Sequence, residues 1–89
     1  MFFKEAVESV FREMLVPVVP VVLSSYTEDK KAGTVRLWLS WEGKLDFGYV
    51  SNFLGRVSSL LVARCKGRVV QEPFLHFDFV FIGVKFPTD

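Results

Sequence analysis

Near the start of the chain apolar residues recur at Phe3, Val7, Val10, Phe11 and Met14, while Lys4, Glu5, Glu8, Arg12 and Glu13 fill the gaps. That spacing puts the first set on one stripe of a 3.6-residue helix, and Pro17, which has no N–H to donate, stops it. From Val18 to Tyr26 the residues are apolar or β-branched on both parities, as in a strand buried on both faces. Pro20 removes one ladder bond and biases that part toward an edge. Residues 27–33 form a polar turn, and Thr34 to Trp41 then alternates strictly. Val35, Leu37, Leu39 and Trp41 make the core side; Thr34, Arg36, Trp38 and Ser40 make a half-solvated face. On that face Trp38 either covers the centre of the sheet or offers a surface for stacking.

Glu42-Gly43-Lys44 closes the strand, and a short helical stretch of two turns at most runs from Leu45 to about Ser51. Phe53 to Arg68 reads as a further helix: Val57, Leu60, Leu61 and Cys65 share a stripe, Ser51 or Asn52 caps its start, and Gly67 follows Arg64 and Lys66 at its end. Gly55, which costs a helix about 1 kcal/mol relative to alanine, then marks the bend where the short helix meets the longer one and where another surface comes close. Val69-Val70 and Phe74 to Val84 form the last strand, with Leu75, Phe77, Phe79 and Phe81 on one side and His76 and Asp78 on the other. Pro73 sits at its entry and Pro87 stops it. The predicted order is αββααβ, a single α+β domain over residues 1–89 with a three-stranded mixed sheet and helices on one face. This is the order of type II KH domains, whose RNA groove lies beside the junction of the two middle helices.

Composition narrows the classes. Eighty-nine residues, 51% hydrophobic and 16% aromatic, suffice for one core without metal or disulfide. A lone Cys65 forms no internal bridge and no zinc site, and it points to a reducing cytoplasm. The opening MFFKEAVESVFREML mixes acids and bases, unlike an export signal, and the apolar run Leu15 to Leu23 is too short and too proline-broken to span a membrane. Net charge is +1, but residues 53–72 hold Arg56, Arg64, Lys66 and Arg68 against Glu72, a local +3, which leaves −2 on the remaining 69 residues.

Catalytic chemistry finds little support. His76 and Asp78 share a strand face, where a hydrogen-bonded pair is favoured over an acid/base dyad because no nucleophile is placed beside them. There is no phosphate loop and no metal spacing, and Cys65 reads as a core thiol. Arg64-Cys-Lys-Gly-Arg68 is the strongest binding feature, suited to phosphates. Arg56 falls on the first turn of the predicted helix, where free N–H groups favour an anion. Lys30, Lys31 and Arg36 lie near Glu28 and Asp29 and are read as a solvated turn.

The strand VRLWLSW, the helix entry FLG, the run RVSSLLVAR, and a basic turn into QEPFLHFDF, together residues 34–79, resemble the bacterial ribosome-binding factor A family. Its members show a V-Y-V-S-F strand, a kinked helix pair with an Ala-x-Gly junction, an F-I-R-x-x-L helix, and a basic exit into V-P-E-L-x-F-x-x-D. The resemblance implies a type II KH-like protein that binds small-subunit ribosomal RNA late in assembly, assists processing at its 5′ end, and catalyses nothing itself. It implies the small ribosomal subunit as partner, no membrane, no cofactor or metal, and a monomer. The residues expected to serve backbone approach and phosphate contact are Asn52, Gly55, Arg56, Arg64, Lys66 and Arg68. The alternative from another class is a protein-interaction or homo-oligomerisation module that packs an uncovered sheet face, with Trp38, Phe74, Val80 and Ile82, on a partner.

Overall fold

The structure, a computed structural model, describes residues 2–42, 46–71 and 75–87. The assignments made for Gly43, Lys44, Leu45, Glu72, Pro73 and Phe74 lie outside these residues. The elements are α1 (Lys4–Met14), β1 (Val21–Asp29), β2 (Thr34–Trp41), α2 (Phe47–Leu61), β3 (Arg64–Val70) and β4 (Leu75–Ile82). The four strands form one antiparallel sheet in the order β1-β2-β4-β3. The fold is α+β, as expected, but its order is αββαββ, and the expected three-stranded mixed sheet with a helix pair is replaced by four antiparallel strands and two helices.

Both helices cover one face of the sheet. Val7 and Phe11 from α1, Leu15 at its C-cap, and Val50, Phe53, Val57 and Leu61 from α2 are buried against Val35, Leu37, Leu39 and Trp41 of β2 and Phe77, Phe79 and Phe81 of β4. The Phe11 and Phe53 rings meet edge to face at 6.0 Å between the helices, and the Trp41 and Phe77 rings do so at 5.6 Å beneath them. The start of α1 has no capping side chain of its own. Glu28 on β1 takes that part, accepting the Phe2 and Phe3 N–H groups at 2.9 and 2.8 Å and the Tyr26 hydroxyl at 2.6 Å. Burial pushes the Glu28 carboxyl up, but the Tyr26 and backbone hydrogen bonds outweigh it and hold the group below its usual range.

The main departure from expectation is at residues 45–68. A single helix runs from Phe47 through Gly55 to Leu61, with Asp46 accepting the Gly48 N–H at 2.9 Å as its cap. Asn52 is therefore inside the helix and caps nothing, and Gly55 marks no junction: a Cβ there would meet nothing within 4 Å. The helix stops at Val62, which adopts a left-handed backbone (φ 50, ψ 49) while the Ala63 N–H returns to the Ser58 carbonyl at 3.0 Å. Glycine is the usual occupant of such a stop, and a β-branched residue there gives no sequence signal for it. Gly67, read as the helix stop, lies instead in β3 over the Phe79 ring, where a Cβ would come within 2.6 Å of Cε1.

Residues 64–70 form a strand because they can satisfy the free side of β4. All seven pair with Phe-rich β4, from Arg64 opposite Ile82 to Val70 opposite His76. The last strand is antiparallel to both of its neighbours, where a parallel pairing with one of the first two strands was expected. The helical crossover does join two parallel strands, β2 and β3, but β4 turns back between them. The described ends lie together, with the Phe86 ring 5.7 Å from Phe2 and 5.6 Å from Phe3. Read cyclically from β4, the chain runs β-α-β-β-α-β, so its connectivity is a circular permutation of the split βαβ plait.

Two glycine substitutions separate this arrangement from a kinked helix pair. Gly55→Ala fills open space on a continuous helix and raises stability by about 0.5–1 kcal/mol, whereas Gly67→Ala drives a methyl into the Phe79 ring and lowers it by about 1–3 kcal/mol. Urea denaturation of the two variants checks both signs.

Candidate nucleic-acid interface

With the helices on one side, the alternate residues of every strand face the other. The register groups them in rows across β1, β2, β4 and β3: Val22–Ser40–His76–Val70, then Ser25–Trp38–Asp78–Arg68, then Thr27–Arg36–Val80–Lys66, and last Asp29–Thr34–Ile82–Arg64. The face carries four cations and two carboxylates, with one tryptophan on a central strand. Arg64, Lys66 and Arg68 are alternate residues of one extended strand, so they form a line of positive charge about 14 Å long.

Asp78 is the centre of this surface. It is 5% exposed, and it holds the Arg36 Nε at 3.1 Å from Oδ1 and the Arg68 Nε at 3.3 Å from Oδ2. The Arg68 contact is a directed hydrogen bond; the Arg36 contact is an ion pair out of hydrogen-bond alignment, so Oδ1 is buried without a well-aimed donor. The arginines themselves remain 55% and 70% exposed. A buried carboxylate between two solvent-facing guanidinium groups anchors both by one end and leaves their outer N–H groups available to an anion.

Trp38 lies directly opposite Asp78 and is half-buried. Its ring and the His76 ring stand T-shaped at 5.9 Å, and Nδ1 of His76 is 3.1 Å from the Ser40 hydroxyl. The indole is thus supported at its side while part of its surface stays exposed. Both readings of Trp38 are met in part: it covers the sheet centre and it presents an aromatic surface beside fixed cations. A shallow depression of about 170 Å³ lies among Arg36, Lys66, Arg68, Asp78 and Val80.

The predicted site residues fall into two groups. Arg64, Lys66 and Arg68 share the open face, on a strand and not on a helix end. Asn52, Gly55 and Arg56 are exposed on α2, on the opposite side of the sheet, and Arg56 is mid-helix and far from the free N–H groups expected to assist it. The two groups cannot line one groove. Arg36 and Asp78 were missed as partners of the basic segment. The strict alternation of residues 34–41 carried the signal for Arg36, but the nearby Glu28 and Asp29 masked it. Cys65 is half-buried on the helix side, and burial pushes its thiol up, in line with a core role.

A scan against protein-family models finds no match for the chain, and neither does a search of curated proteins or of solved structures. Among the described residues no cluster of three metal-ligating side chains occurs, and no helix is long and apolar enough to cross a membrane.

The charge arrangement predicts a reversal. Arg36→Ala with Arg68→Ala costs about 2–4 kcal/mol, because the Asp78 carboxylate stays buried without counter-charge. Adding Asp78→Asn to that pair restores at least half of the loss, as measured by chemical denaturation in a mutant cycle.

Proposed function

We propose that the protein is an RNA-binding module that takes a single strand across the open face of its sheet. Trp38 stacks a base, and Arg36, Lys66 and Arg68, with Arg64 at the end of the row, contact the backbone phosphates. The observation that carries this reading is the Arg36–Asp78–Arg68 arrangement beside Trp38 on the one sheet face that no helix covers. Sheets of this design bind single strands because aromatic faces accept any base and fixed cations track the backbone. The function is binding without catalysis.

Small-subunit ribosomal RNA late in maturation, reached in the cytoplasm, is the proposed target. It rests on the resemblance of residues 34–79 to the ribosome-binding factor A family and on nothing in the fold, since the αββααβ order belonging to that family is not the order of this chain. The RNA reading therefore stands on the sheet face, and the ribosomal target is a separate step.

Fluorescence anisotropy with a labelled single-stranded RNA of about ten nucleotides tests the first step. Neutralising three phosphates makes affinity fall about twentyfold as salt rises from about 50 to about 200 mM. Trp38→Ala weakens binding about tenfold or more, Trp38→Phe much less, and Arg56→Ala leaves it unchanged. Binding indifferent to salt and to Trp38→Ala, or lost with Arg56→Ala alone, would sink the sheet-face reading. Co-sedimentation with free small subunits over the same salt series tests the target.

A further inference from the structure

β3 is an edge strand, and its outer side pairs with nothing among the described residues. Five of its seven residues are exposed. On the helix side Cys65, Gly67 and Val69 are small, and α2 does not close over them. What remains is an open apolar groove of about 400 Å³ between α2 and β3, floored by Phe77 and Phe79 and walled by Phe47, Leu54 and Val69. Phe47 and Val69 are 60% and 44% exposed at its mouth. The Phe77 and Phe79 rings lie parallel, 5.6 Å apart at 6°, and give the floor a flat apolar surface.

We infer that this edge is a docking site for an extended segment of a partner protein in which acidic and apolar residues alternate. An added strand would take the free backbone groups of β3. Its side chains then divide by parity: one set stands beside Arg64, Lys66 and Arg68 on the open face, and the other enters the groove over Phe77 and Phe79. The first set must be acidic to match three cations, and the second must be apolar. The same charges exclude the other obvious occupant. A second copy paired antiparallel about a two-fold axis normal to the sheet would set Arg64, Lys66 and Arg68 against themselves, and like charges directly opposite repel. The opposite edge is less suited, because β1 carries an irregularity between Leu23 and Ser25 that breaks an even ladder.

The site differs from the RNA-binding surface in its groove but shares its row of cations, so an acidic strand and RNA compete. The probe is a capped eight-residue peptide of alternating glutamate and valine, titrated into the whole chain, with a lysine–valine peptide as control. The glutamate peptide binds at least about tenfold more tightly than the control, and on binding the amides of residues 64–70 gain protection from hydrogen exchange. Val69→Asp, at the groove mouth and outside the RNA-binding residues, abolishes peptide binding while leaving RNA affinity within about twofold. Equal binding of the two peptides, binding without protection in β3, or concentration-dependent dimerisation removed by Val69→Asp would each overturn the inference. Loss of RNA binding alone, with peptide binding intact, would count against the sheet-face reading and not against this one.

Discussion

The pairing of residues 64–70 with β4 is the constraint on which the rest of the structure depends. Without β3, the Phe-rich strand β4 would be an edge, and its outer ladder groups would face water beside a row of large aromatic side chains. With β3 in place β4 is central, the sheet has four strands, and Phe77, Phe79 and Phe81 are buried in the core on the helix side of the sheet. The pairing also decides where the charge goes. Arg68 comes opposite Asp78 and Lys66 opposite Val80, so the basic segment becomes a row on the open face and not a cluster at the end of a helix.

Burial of Asp78 is the second consequence. A carboxylate that is 5% exposed needs counter-charge, and the register supplies it from both neighbouring strands, Arg36 from β2 and Arg68 from β3. An ion triad of this kind adds little net stability, since desolvation offsets much of the attraction. What it fixes is geometry: two guanidinium groups held at set places beside a tryptophan. The proposed binding surface is therefore a by-product of the same strand pairing that completes the core.

The legible parts of the fold were those with one unambiguous period. Residues 34–41 alternate without exception, and β2 has the predicted bounds; α1 and the apolar side of β4 follow equally directly. Residues 62–68, expected to be helical, differ for two physical reasons. Cys65 continues the helical stripe of Val57 and Leu61 and also fits the alternation of Arg64, Lys66 and Arg68, so the segment satisfies both periods. The helix also ends on Val62, a residue that sterics disfavour in the left-handed region, while the glycine that looks like a stop serves to admit the Phe79 ring. In the site, the charge count found Arg64, Lys66 and Arg68. Glu28 and Asp29, close to Arg36 in sequence, argue for a merely solvated turn, yet Glu28 faces the helices and caps α1 on the other side of the sheet, and Asp29, which shares the open face, accepts the Ala32 N–H of its own turn at 3.0 Å. Neighbours in sequence of opposite parity on a strand do not neutralise each other.

Residues 64–70 are a strand laid on β4, with Gly67 against the Phe79 ring, and proton NMR of the unlabelled or labelled chain reads this directly. Cross-strand contacts between Gly67 and Phe79 and between Lys66 and Val80 are expected, with the Gly67 α protons shifted upfield by the ring beneath them. Helical sequential contacts running unbroken from residue 57 through residue 66, with Gly67 α protons at unshifted positions, would contradict it.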